Sequence, residues 1–132
     1  MIYIVENWAA IVAATAAGLL LGLAWLRLSG LPLPSFSASL VAVLCSFWLA
    51  AILAGALILA PPEVRAQAGA RTIALGTPII IWCGFLLPGF AATLPMLGMS
   101  WRRVAGVAGY WLAAMVLQSG ILQAIGLTAP PV

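Results

Sequence analysis

The chain has 132 residues, of which 66% are hydrophobic and 5% charged, with a net charge of +3 and no histidine. A soluble domain carries roughly 25% charged residues, so seven charges on a chain of mean hydropathy +1.25 cannot cover a water-facing surface. The basic balance is too sparse for nucleic acid, since no cluster exceeds Arg102-Arg103, and it suits anionic lipid headgroups instead.

A membrane helix needs about 20 mostly apolar residues, and four such runs occupy nearly the whole chain. The first covers residues 8–28, with Asn7 placed to cap it. It is no convincing secretory signal, because the charge before it is the acidic Glu6 and the run is long. It carries Ala10, Ala14, Gly18 and Gly22 at four-residue spacing. Trp8 and Trp25 mark its two ends, and Arg27 can snorkel from its last turn. The stretch around Pro32 and Pro34 ends it.

The second run covers residues 36–60, capped by Ser35 or Ser37 and stopped by Pro61-Pro62. Its small residues are Ala38, Ala42, Ser46, Ala50 and Ala54, and it includes Cys45, which reads with Cys83 as a small apolar side chain within a span. Residues 63–76 are the most polar in the chain and read either as a short interfacial helix or as a solvated loop. Thr77-Pro78 looks like a cap and first helical position, starting a third run over residues 78–99. Pro88, followed by Gly89, predicts a kink there, with the carbonyl of Gly84 losing its usual donor.

The fourth run covers residues 101–126, with Trp101, Arg102 and Arg103 as interface anchors and Ala105, Gly109 and Ala113 as a third stripe. Without a hydrophobic drive between helices in lipid, small residues allow backbones to approach and dispersion to act. The stripes therefore predict helix packing, within the chain or against a partner. Gln118, Ser119 and Gln123 are polar groups at membrane depth, expected to bond across helices, with the carbonyl freed by Pro88 as one acceptor.

Short connections predict an all-α bundle of four antiparallel membrane helices forming one domain over residues 1–132, with both termini on one side. Arg27, Arg102 and Arg103 against Arg65 and Arg71 place the termini outside, the periplasmic side in a bacterium. No nucleophile stands near a base, and Glu6 and Glu63 form no metal-ligand set with two isolated cysteines, so the inventory predicts no enzyme, no metal and no cofactor. Without histidine, a lipid, quinone or pigment could be held only non-covalently, against Trp48, Trp82 or Trp111.

The N-W-A-A-I-V-A-A-T-A-A-G-L-L-L-G-L-A-W stretch at residues 7–25, W-C-G-F-L-L-P at 82–88 and R-R-V-A-G-V-A-G-Y-W at 102–111 resemble the family catalogued as domain of unknown function 1761. The matching positions are Gly22 with Trp25, Gly84 with Pro88, and Gly109 with Tyr110. The resemblance implies a small four-helix protein of the bacterial inner membrane, and no reaction. The acidic residue that members often carry before the G-Y is absent, since Val107-Ala108 stands there. Two functions are open. One is an accessory subunit packing on other membrane helices, or on copies of itself, as in a photosynthetic or respiratory complex. The other is a small oligomeric transporter or channel for an apolar or neutral solute, for which a Pro-broken span argues and the lack of intramembrane charge argues against.

Overall fold

Serine and arginine side chains set the helix ends as much as the prolines do. A computed structural model describes residues 2–129, and all regular structure among them is helical. Helix α1 (Ile2–Glu6), which the sequence did not suggest, precedes α2 (Trp8–Leu28) and α3 (Phe36–Ile58). Then come α4 (Pro62–Ile81), a π-helical turn (Trp82–Leu86), α5 (Leu87–Thr93) and α6 (Trp101–Ile125). Four helical stretches are long and apolar enough to cross a membrane: Trp8–Leu28, Phe36–Ile58, Pro62–Thr93 and Trp101–Ile125.

Ser35 caps α3, its hydroxyl accepting from the Ala38 amide at 3.3 Å. At its other end α3 stops at Ile58, two residues before the expected Ala60. There Arg65 donates from Nη2 to the carbonyls of Leu57 at 2.7 Å and Ile58 at 3.4 Å, which have no helical partner ahead of them. Asn7 does not cap α2 as expected. Its side chain is taken elsewhere: Nδ2 donates to the carbonyls of Thr128 and Tyr3, each at 2.9 Å, and Oδ1 accepts from the Thr128 amide at 2.8 Å.

The third stretch corrects the sequence reading most. It begins at Pro62, so residues 63–76 are largely helical and not a loop, and Thr77 is no cap, because Pro78 is buried inside α4. Regular geometry is interrupted at Gly69 (φ 76°, ψ 153°), a conformation open to glycine for want of a Cβ. The stretch ends at Thr93 instead of Met99, and residues 94–98 turn toward α6. At the turn before Pro88 the helix widens: the Leu87 amide donates to the Trp82 carbonyl, five residues back.

The buried rows alternate steps of four and three. On α2 the row is Ile11, Ala14 and Gly18, extended by Asn7 just ahead of the helix; on α3 it is Ser46, Ala50, Leu53 and Leu57; on α6 it is Val104, Ala108, half-buried Trp111, Met115, Gln118 and Leu122. A repeat of 3.5 keeps side chains on one seam, whereas strict fours rotate around the helix. The fours at Ala10, Ala14 and Gly18 and at Ser46, Ala50 and Ala54 lie along the seam and are buried, those at Ala38 and Ala42 have rotated off it, and Ala105, Gly109 and Ala113 start on the opposite face of α6; these five are exposed. The stripe expected on α6 lies on its outer face. Ile11, Leu53, Met115 and Leu122, all at 0% exposure, form the centre where α2, α3 and α6 meet.

Candidate functional site

Gly18 makes room for an amide. A Cβ built there would lie 2.7 Å from Gln118 Nε2 and 3.0 Å from Ser46 Oγ. The amide that fills this space donates from Nε2 to Ser46 Oγ at 2.9 Å and to the Ser46 carbonyl at 3.3 Å. Ser46 in turn donates to the Thr15 carbonyl at 3.5 Å. Gln118 thus ties α6 to α3 and α2, while its buried Oε1 has no partner among the described residues.

A second cluster joins the motif residues of α2 and α6. Tyr110 lies over Gly22, where a Cβ would be 2.9 Å from its hydroxyl. Its ring stacks on Trp25 with centroids 5.8 Å apart, and Trp25 lies over Gly106, where a Cβ would be 3.3 Å from the indole. Trp25, expected as an interface anchor, is therefore half-buried against the protein. Trp8, Arg27, Trp101, Arg102 and Arg103 are exposed.

Two bonds hold α4 and the π turn against α6. Pro78 has no amide for the Ala74 carbonyl, four residues back. Ser119 replaces it, its hydroxyl donating to that carbonyl at 2.6 Å. The expected acceptor, freed by Pro88, was the wrong one: the proline that Ser119 answers is Pro78. Trp82 Nε1 donates to the Ala108 carbonyl at 2.8 Å. Gln123 makes no such tie and is exposed near the end of α6.

Beyond the π turn, α5 packs on α6 but not on α3. The gap is an open groove of about 660 Å³, whose walls include Phe47, Trp48, Phe90 and Trp111. Trp48 and Trp111, which sequence alone left unplaced, come together in it. Cys45 also lines it, and both Cys45 and Cys83 are exposed thiols, not buried ones. No group of three His, Cys, Asp or Glu able to hold a metal exists among the described residues.

Sequence reading missed Thr15, Tyr3 and Arg65. Tyr3 lies on Gly55, where a Cβ would be 3.0 Å from its hydroxyl, and its signal was only an aromatic before the first run. Nothing local marks Arg65 as the cap of a helix seven residues earlier. No family model, no curated protein and no solved structure matches the chain.

Proposed function

We propose that the chain is a non-catalytic integral membrane protein, an antiparallel four-helix bundle that serves as an accessory subunit by packing its open groove against another membrane helix. The observation that carries this reading is a division of labour. The polar groups at Asn7, Ser46, Ser119 and Trp82 bond within the chain, while the groove beside Trp48 is aromatic, uncharged and open. Aromatic side chains bring large contact area to a packed interface. Antiparallel packing of α2 on α6 is supported by the order of their contacts: Trp25 with Gly106, Gly22 with Tyr110, Gly18 with Gln118 and Asn7 with Thr128. That order also favours both ends lying on one side of the membrane. Of the motif residues behind the resemblance to the domain of unknown function 1761 proteins, Gly22, Trp25 and Tyr110 pack together, whereas Gly84, Pro88 and Gly109 are exposed; we propose membership in that family from the sequence motifs alone.

The test uses Cys45 as a reporter inside the groove. In a Cys83→Ser background, Cys45 is labelled in native membranes with a maleimide photocrosslinker and irradiated. The expected result is one discrete protein adduct, lost on Trp48→Ala. Adducts to lipid alone would remove the subunit reading. A second reading, a small oligomeric transporter of an apolar or neutral solute, is favoured by the π turn beside Pro88, since irregular helices line solute paths in transporters. Flux of a neutral solute into proteoliposomes would decide for it.

A further inference from the structure

A cavity of about 100 Å³ lies where α3 ends, α4 is interrupted and α6 finishes. Its walls include Leu57, Ile73 and Leu127, and its polar side chains are Arg65 and Gln123. One water needs ~10–15 Å³ by this measure, so the space exceeds a single water and has room for one tetrahedral oxyanion. A guanidinium presents five N–H donors in a planar fork. Both side-chain bonds Arg65 makes among the described residues leave from Nη2, toward neutral main-chain carbonyls of α3. The three donors on Nε and Nη1 are not used by those carbonyls. Gln123, whose side chain carries an amide, lines the same space, and both it and Arg65 are exposed at its mouth. Cation, fork and amide suit an oxyanion and neither an apolar ligand nor a cation, and the room for a tetrahedral group favours phosphate.

We propose that this cavity binds a phosphate group through Arg65 and Gln123. Two sources share that chemistry, the headgroup of an anionic phospholipid and free inorganic phosphate. The site rests on the membrane reading only for the lipid source. Arg65 then has two roles: Nη2 closes α3, and the rest of the fork holds the anion.

The experiment measures the unfolding temperature of the delipidated protein in mild detergent with three probes: inorganic phosphate, dioctanoyl phosphatidylglycerol and dioctanoylglycerol. At saturation a phosphate-bearing probe should raise the wild-type midpoint by about 5 °C, and dioctanoylglycerol should not. A rise with phosphatidylglycerol alone assigns the lipid source, and a rise with inorganic phosphate too assigns the bare anion. Arg65→Gln and Gln123→Leu should each lose most of the rise, while Arg102→Gln, on a residue outside the cavity, should keep it. Should Arg65→Gln not fold, Gln123→Leu with Arg65→Lys carries the test. The proposal is overturned by no rise with either phosphate probe, by an equal rise with dioctanoylglycerol, or by variants that respond as wild type does. Extraction of the chain from membranes by alkaline carbonate would break the membrane reading separately, without touching this readout.

Discussion

Two parts of the molecule are held together by different means. Helices α2, α3 and α6 share a buried seam, and 28%, 39% and 33% of their most apolar windows are buried; for the Pro62–Thr93 stretch the figure is 11%. The first three resist separation through many small contacts, each weak but collectively large. The third stretch packs closely on α6 through α4 and adds two hydrogen bonds, from Ser119 to Ala74 and from Trp82 to Ala108, yet buries little of its most apolar part. It also contains the interruption at Gly69, the π turn and both internal prolines. Irregular backbone is tolerated at membrane depth where neighbouring groups satisfy it, and α6 supplies those groups. The difference teaches that a membrane helix can be positioned by one packed face and two polar ties, while leaving most of its apolar surface for other contacts.

The largest expected effect tests the seam. Gly18→Ile forces side-chain atoms into the Gln118 amide, and Gly22→Ile does the same at Tyr110. Overpacking costs ~1–3 kcal/mol per site, so the double variant should lose about 2–6 kcal/mol or fail to fold, read as unfolding in detergent. Leu19→Ile with Leu23→Ile should change little, because volumes are similar. If the glycine variant unfolds like wild type, the seam is not tight.

Next comes the tie at Pro78. Ser119→Ala leaves the Ala74 carbonyl buried without a donor, which costs about 1–3 kcal/mol. Pro78→Ala restores an amide at that carbonyl, so Ser119→Ala should cost much less in that background. A double-mutant cycle measures the coupling, and additive losses would mean that Ser119 does not replace the proline's missing amide.

Trp82→Phe removes the indole donor to Ala108 and part of the ring that packs on the core; the lost bond alone should cost about 0.5–1.5 kcal/mol, with the effect concentrated in the third stretch. Hydrogen exchange of residues 70–93 should rise while that of α2 stays put. Uniform loosening would erase the distinction between the two parts. The smallest effect is expected at Gly109→Ala, where nothing lies within 4 Å of a built Cβ. Alanine is the better helix former by ~1 kcal/mol, so stability should hold or rise slightly. A clear loss there would put the α6 stripe back at an interface.

The four apolar stretches and most helix ends were legible because length and composition alone decide whether a helix suits lipid. The start of the third was not. Pro78 carries the local marks of a first helical position, and only Ser119, 41 positions later in the chain, makes it an interior residue. The same limit applies to the stripes. Gly18 and Gly109 look alike in sequence, yet Gly18 sits on a seam of alternating fours and threes and Gly109 does not. Counting strict fours loses the seam after two turns. The candidate sites were less legible still. Trp48 and Trp111 share a groove only because α3 and α6 pack together with α5 set apart from α3, and Arg65 with Gln123 share a cavity only through the way α3, α4 and α6 finish together.

The paired bonds between Asn7 and Thr128 join positions 121 residues apart. During synthesis the first helix emerges long before its clasp exists, because the chain grows from the N-terminus. Until Thr128 arrives, the Asn7 amide has only the Tyr3 carbonyl and whatever solvent reaches it. Closure of this clasp is therefore a late event in assembly, a latch that registers arrival of the last helix. It also makes Asn7 and Thr128 near neighbours, so a chain joined across them and reopened between residues 29 and 35 would keep α2 to α6 whole while reversing the order in which the latch and the seam are made.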